Sequence, residues 1–236
     1  MRATIFDTTK KPRALDLFCC GGGASRGLAA AGFDVTGVDI EPQPGYPYNF
    51  IKADAVRFVP VGYDLVWASP PCQGYSKAVS SRSSKWVTTL GKDEPKLIKH
   101  VRALMEAFGM QYVIENVRGA RDELQEPFML CGSMFGLPIQ RHRFFEANWP
   151  VLSPPHPKCR GIAKDYAAAV GWEYRDMSVT GKGRRKGTAA RWKQILGIEP
   201  EAAMTQHQLA ECIPPAYAEF IGKAWIAAHQ QVSAVV

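Results

Sequence analysis

The stretch Ala14-Leu15-Asp16-Leu17-Phe18, followed by Gly21-Gly22-Gly23 and then Ala24-Ser25-Arg26-Gly27-Leu28-Ala29-Ala30-Ala31, reads as a short apolar strand, a glycine turn and a small-residue helix. Phe33-Asp34-Val35-Thr36-Gly37-Val38-Asp39 then forms a second strand that ends in an acid, and a third short apolar stretch leads into Ala53-Asp54. This is the order of a nucleotide-binding half-sheet. Glycines let the backbone approach a ligand closely, and a carboxylate at the tip of the second strand can accept hydrogen bonds from both hydroxyls of a ribose.

Working outward, the apolar run Tyr63-Asp64-Leu65-Val66-Trp67-Ala68 is a fourth strand, and it runs into Pro70-Pro71-Cys72-Gln73. Loops after strand ends are where open α/β sheets hold ligands, and two prolines stiffen this one, so the Cys72 thiol is a candidate nucleophile. Ser76 through Gly91 is polar and reads as a loop. Asp93 to Phe108 has helical spacing, and Gln111-Tyr112-Val113-Ile114-Glu115-Asn116-Val117 is a fifth strand tipped by an acid and an amide. Phe128 to Leu137 is apolar, Arg141-His142-Arg143 is a tight basic cluster, and Phe144-Phe145-Glu146-Ala147 resumes strand character. Alternating β and α elements predict a mostly parallel open sheet with helices on both faces.

From Pro150 to about Thr188 the texture changes to prolines, glycines and the basic run Gly181-Lys182-Gly183-Arg184-Arg185-Lys186-Gly187, which predicts a loop-rich appendage. Helical patterning returns after Arg191, with Tyr217 to Trp225 an amphipathic helix able to pack on the sheet. The expected organisation is a core over 1–149, a small appendage over 150–190 and a C-terminal segment over 191–236 that packs back on the core.

The chain of 236 residues suffices for one sizeable core plus trimmings. No segment approaches the roughly 18 consecutive apolar residues of a membrane span, and Met1 to Asp7 lacks the apolar centre of a signal peptide, so the cytoplasm is the expected compartment. Cysteines 19, 20, 72, 131, 159 and 212 show no repeated paired spacing, and the lone H-x-x-C of His156 and Cys159 lacks two further ligands. No metal is therefore expected. The formal charge of +7 and pI near 9.1 draw the chain toward polyanions, nucleic acid foremost.

At this point the ordered motifs resemble those of the DNA (cytosine-5)-methyltransferases. Asp16-Leu17-Phe18 with Gly22-Gly23 is similar to that family's donor-binding turn, Pro70-Pro71-Cys72-Gln73 to its nucleophile loop, Glu115-Asn116-Val117 to its acid motif and Arg141-His142-Arg143 to its arginine pair, with a weaker echo in Ile213-Pro214-Pro215-Ala216-Tyr217. The resemblance implies a Rossmann-like S-adenosylmethionine-dependent methyltransferase fold with a short target-recognition appendage. It implies attack of Cys72 on C6 of cytosine, proton exchange between Glu115 and N3, and methylation at C5, with Arg141 and Arg143 holding the base carbonyl and a phosphate and lowering the thiol's pKa. The base must swing out of the duplex to react.

For the methyl donor, S-adenosylmethionine, the resemblance implies contacts from Phe18, Gly22, Gly23, Asp39, Ile40, Asp54, Pro71 and Glu211, with Asp39 on the ribose and Asp54 on the adenine amino group. Substrate contacts fall to Gln73, Ser76, Asn116, Arg184 and Arg185. Three positions depart from the family: Cys20 stands where glycine is usual, Ile139 replaces the glutamine that opens the arginine motif, and Ala210-Glu211 replaces Gly-Asn. The expected partner is duplex DNA, bound by a monomer through phosphate contacts that give affinity without sequence choice. The short recognition region and compact size point to a short target site and a phage or mobile-element setting in which modification protects DNA. Two other readings stay open, an RNA cytosine-5 methyltransferase and a non-catalytic nucleic-acid-binding relic.

Overall fold

The computed structural model describes residues 10–75, 95–179 and 187–233. Ser76, Arg184, Arg185 and the serine-rich segment through Gly91 lie outside the described residues.

The opening stretch folds as its residues predict, into β1 (Arg13–Leu17), the glycine turn and α1 (Gly23–Ala31), then β2 (Asp34–Asp39) and β3 (Asn49–Lys52). β4 (Leu65–Ala68), α2 (Ile98–Ala107) and β5 (Tyr112–Asn116) follow, α2 starting only beyond Pro95, and β6 (Phe128–Leu130) and β7 (Arg143–Ala147) complete the sheet. The seven strands run in the order β3-β2-β1-β4-β5-β7-β6. The first five pair parallel, and β7 runs antiparallel between β5 and β6.

Period-two alternation explains the layers. Ala14, Leu65, Trp67 and Val113 point to one face, where Leu28 of α1 and Tyr217, Ile221 and Trp225 of the last helix cover them. Leu15, Leu17, Val66, Ala68 and Ile114 point to the other, under Ile98, Val101 and Met105 of α2. Both faces are buried, so the central strands read as continuous apolar runs.

The appendage has a small core of its own around Trp192, Met177, Val179, Ile195 and Leu196. It holds α3 (Ile162–Ala169), α4 (Ala189–Leu196) and α5 (Gln206–Glu211), and its buried cluster takes in Leu209, Ala210 and Cys212. The C-terminal segment therefore divides differently from the expected boundary at 191: α4 and α5 pack with the appendage, and only α6 (Pro215–Ser233) returns to the sheet. Local helical spacing cannot say which neighbour covers an apolar face. Among the described residues no helix is long and apolar enough to cross a membrane.

Candidate active site

The parallel strands bring their carboxyl ends to one edge of the sheet, so Phe18, Asp39, Asp54, Cys72 and Glu115, each at or just past a strand end, share that edge. β7 runs the opposite way, which places its first residue, Arg143, beside the tip of β5: Asn116 pairs with Phe144 and Glu115 with Phe145.

Arg143 Nε lies 3.1 Å from Glu115 Oε1, and its guanidinium also donates to the His142 carbonyl at 3.0 Å. Burial pushes the Glu115 carboxyl up, while the positive charges of Arg143 and Arg141 and a hydrogen bond from Ser69 act against that shift. Ser69 in turn accepts from Trp67 Nε1 at 3.0 Å, a link to the core that the sequence patterns do not reveal.

Cys72 is half-buried and precedes a short 3-10 turn, Gln73–Tyr75, with Gln73 exposed and Pro71 half-buried. Burial pushes its thiol up, Glu115's negative charge adds to that, and Arg143 pulls the other way. The expected lowering by the arginines is thus corrected: Arg143 acts in the expected direction but is outweighed, because removing a thiolate from water costs more than one neighbouring cation returns. Asn116 is fully buried and both ends of its amide serve backbone, Nδ2 donating to the Pro70 carbonyl at 2.9 Å and Oδ1 accepting from the Val117 amide at 2.9 Å. Its side chain holds the proline-cysteine loop against β5.

Arg141 is buried and spans three parts of the chain: its guanidinium donates to the carbonyls of Val179 (3.1 Å) and Ala210 (2.5 Å), and its own carbonyl accepts from the Tyr217 hydroxyl at 2.7 Å. Burial and the repulsion of Arg143 bring its pKa down to about 9. The two arginines of one motif therefore do different things, one facing Glu115 and the other tying the appendage to the sheet.

At the other end of the edge, the Asp39 carboxylate accepts from the Cys20 amide (2.9 Å) and the Glu41 amide (3.0 Å), and Ile40 beside it is 61% exposed. An exposed isoleucine next to a carboxylate at a strand tip suits an adenosine, apolar against the base and charged toward the ribose. Asp54 accepts from the Val56 amide at 3.1 Å. Phe18 and Cys20 take left-handed backbone, φ 60° and 45°, so the turn tolerates a side chain at Cys20 at the cost of strain, and Gly22 caps α1 at φ 80°. Gly23 packs so closely that a Cβ there would meet Cys212 Sγ at 2.2 Å, so its bareness serves the contact with the C-terminal segment. Buried Asp16 accepts from Ser25, which shares a 2.6 Å hydrogen bond with the Tyr46 hydroxyl, and burial pushes Asp16 up to about 7. This network was not legible in the motifs; the Pro44-Gly45-Tyr46-Pro47 turn after β2 was its only trace. Glu211 sits at the end of α5; burial raises the thiols of Cys20 and Cys72, and the negative charge of Glu211 adds to both shifts.

The expectation of no metal rested on spacing along the chain, whereas the fold gathers Cys131, His142, His156 and Cys159 into one cluster.

No family model matches the chain. The type II methyltransferase M.XorII of Xanthomonas oryzae pv. oryzae is 33% identical over 129 residues, 46% of this chain and 29% of that protein, so the chain spans less than a third of the relative's length. Among solved structures, one described as a DNA modification methyltransferase encoded within prophage Cp of E. coli matches with a TM-score of 0.59 at 15% identity, over 92% of this chain and 99% of that one. The S. pombe Dnmt2 methyltransferase matches with a TM-score of 0.59 at 13% identity, over 93% and 99%. At these identities the structural likeness establishes the fold, the Rossmann-like fold of S-adenosylmethionine-dependent methyltransferases, across nearly the whole chain.

Proposed function

We propose that the chain, whose motifs follow the order of the cytosine-5-methyltransferases on a fold it shares with solved methyltransferases, methylates C5 of cytosine in duplex DNA through a covalent bond from Cys72 to C6 of a base swung out of the helix. The observation that carries this reading is the pairing of Glu115 with Arg143 at the strand edge that also presents Cys72.

C5 of cytosine is a poor nucleophile until something adds to C6. The Cys72 thiolate forms the C6–S bond, the C5–C6 electron pair moves into the ring, and N3 takes a proton from Glu115. Arg143 holds Glu115 in place and faces the developing negative charge on the base carbonyl. Asp39, Ile40 and Asp54 would hold S-adenosylmethionine, which would supply the methyl group to C5 and leave as S-adenosylhomocysteine. Loss of the C5 proton to a base then restores the double bond and expels the Cys72 thiolate, and N3 returns its proton to Glu115.

The raised pKa values of Cys72 and Glu115 are two sides of one arrangement. Glu115's negative charge helps keep Cys72 a thiol, so a protonated Glu115, the form that can donate to N3, removes that opposition and favours the thiolate. Asn116, by clamping Pro70, keeps the nucleophile loop at the end of β5.

The test is incubation with labelled S-adenosylmethionine and either unmodified duplex DNA or RNA, comparing the parent protein with Cys72→Ala and mapping the product base by base. Label in 5-methylcytosine of the duplex, absent in the variant, supports the reading. Label confined to RNA transfers the same chemistry to another nucleic acid, and donor binding with no product in either defeats the proposal.

A further inference from the structure

We propose that Cys131, His142, His156 and Cys159 form a structural zinc site that staples the arginine motif to the appendage. The proposal does not depend on the methyl-transfer reading.

The four residues come from three separate parts of the chain. Cys131 follows β6, His142 immediately precedes β7, and His156 and Cys159 belong to the proline-rich segment that leaves the sheet. Their ligand atoms all lie within 4.8 Å of one another. In a tetrahedral zinc site with bonds of about 2.0–2.3 Å the ligand atoms stand roughly 3.3–3.8 Å apart, so small side-chain rotations close the set. Cys159 Sγ is already 3.4 Å from His142 Nε2, and the His142 and His156 rings meet edge to face with centroids 5.2 Å apart. Two cysteines and two histidines from distant positions do not converge in this way to fill a core, since each is individually able to pair with backbone or water.

The donor set selects the ion. Two thiolates and two neutral imidazoles in tetrahedral array suit zinc rather than the oxygen-loving magnesium or calcium, and four protein ligands make a closed site without a place for a reacting water. On binding, the two thiols release their protons to solvent and no electron changes hands. Two thiolate charges balance the dication, so the site adds no net charge beside Arg141 and Arg143.

The surroundings explain what the site is for. Residues 150–161 form neither helix nor strand and contribute nothing to the three buried clusters, and Leu152 is 90% exposed. This segment links the sheet to the appendage without a hydrophobic anchor, and a metal substitutes for one, as it does in small domains generally. His142 lies between the two arginines, so the same ion fixes the backbone from which Arg143 reaches Glu115. Ser133 Oγ donates to Cys131 Sγ at 3.3 Å and Gln140 donates to the Cys159 carbonyl, contacts that orient ligands from outside.

The experiment is metal analysis of the full chain, expressed in zinc-replete medium and purified under reducing conditions without chelator. The expected result is close to one zinc per chain, with cobalt-exchanged protein giving the absorption of a tetrahedral thiolate site. Cys159→Ser and His156→Ala should each lower zinc retention by at least about tenfold, while Cys20→Ser retains it. Parent protein that is folded by circular dichroism yet carries no zinc and takes up no cobalt overturns the proposal. So does zinc that survives both ligand substitutions, or a disulfide between Cys131 and Cys159 in the reduced preparation. Parent metal content is read without any variant, so a variant that fails to fold leaves the test intact.

Discussion

Trp67 and Trp192 are both completely buried, but they sit in different kinds of interior. Trp67 lies on a central strand, packs edge-on against Phe145 with centroids 5.8 Å apart, and gives its indole hydrogen to Ser69. Trp192 lies on the short helix α4, and its indole nitrogen has no partner among the described residues. The sheet satisfies its polar groups through ladders and has apolar layers on both faces, so its edge can carry reactive side chains without loss of the fold. The appendage packs around its own cluster at Trp192, and the Arg141 bonds to Val179 and Ala210 and the four-residue Cys/His cluster attach it to the sheet.

The widest separation between site and scaffold is expected from Cys72→Ala, which should lower methyl transfer on the order of 10⁴-fold or more while leaving the thermal unfolding midpoint in place. Activity that persists in a folded variant would detach the chemistry from this edge of the sheet. Glu115→Gln keeps the shape and removes the proton that the proposed mechanism takes from this residue; a loss on the order of 10²–10⁴-fold is expected, measured by initial rates with saturating donor.

Two substitutions compare the scaffolds directly. Arg102→Met leaves Glu146 buried without its ion-pair partner at 2.5 Å and should cost about 3–5 kcal/mol, read by denaturant melts as a shift of the whole transition. Trp192→Ala should cost a similar amount, about 3–5 kcal/mol, but in the appendage, so that hydrogen exchange quickens within the Trp192 cluster while β1, β4 and β5 stay protected. A global loss in both would show the two interiors to be one cooperative unit.

The smallest effect concerns Asp16. Its carboxyl is raised from 3.8 to about 7 by burial, so the folded chain holds a proton that the unfolded chain has released over that interval. The associated stability is fully present below about pH 4 and is lost as pH rises through about 7. Asp16→Asn mimics the protonated form. It should stabilise the protein at pH 8 on the order of 1–3 kcal/mol, the gain shrinking toward pH 4. A gain independent of pH would mean that Asp16 is not the group responsible.

Much of the sheet was legible in the chain because strands announce themselves locally. Ala14 to Phe18, Phe33 to Asp39 and Leu65 to Ala68 are short apolar runs bounded by glycine, proline or acid, and each became a strand within a residue or two. The positions of Cys72 and Glu115 were legible for the same reason, since parallel strands bring their ends to one edge. Asn116 shows the limit: its place at the strand tip could be read, but its use as a clamp on Pro70 depends on a neighbour 46 residues away.

By itself the sequence determined the order of elements, the parallel character of the first five strands and the edge at which Phe18, Asp39, Cys72 and Glu115 meet, because alternation and turn residues act over a few positions. Only the tertiary structure decided that β7 runs antiparallel and so turns Arg143 onto Glu115, that Arg141 faces the appendage, that α4 and α5 leave the sheet to α6, and that Cys131 and His142 join His156 and Cys159. Each of these is a contact between segments whose separation along the chain carries no information about their distance in space. That distance is set by which apolar faces remain to be covered once the sheet has formed.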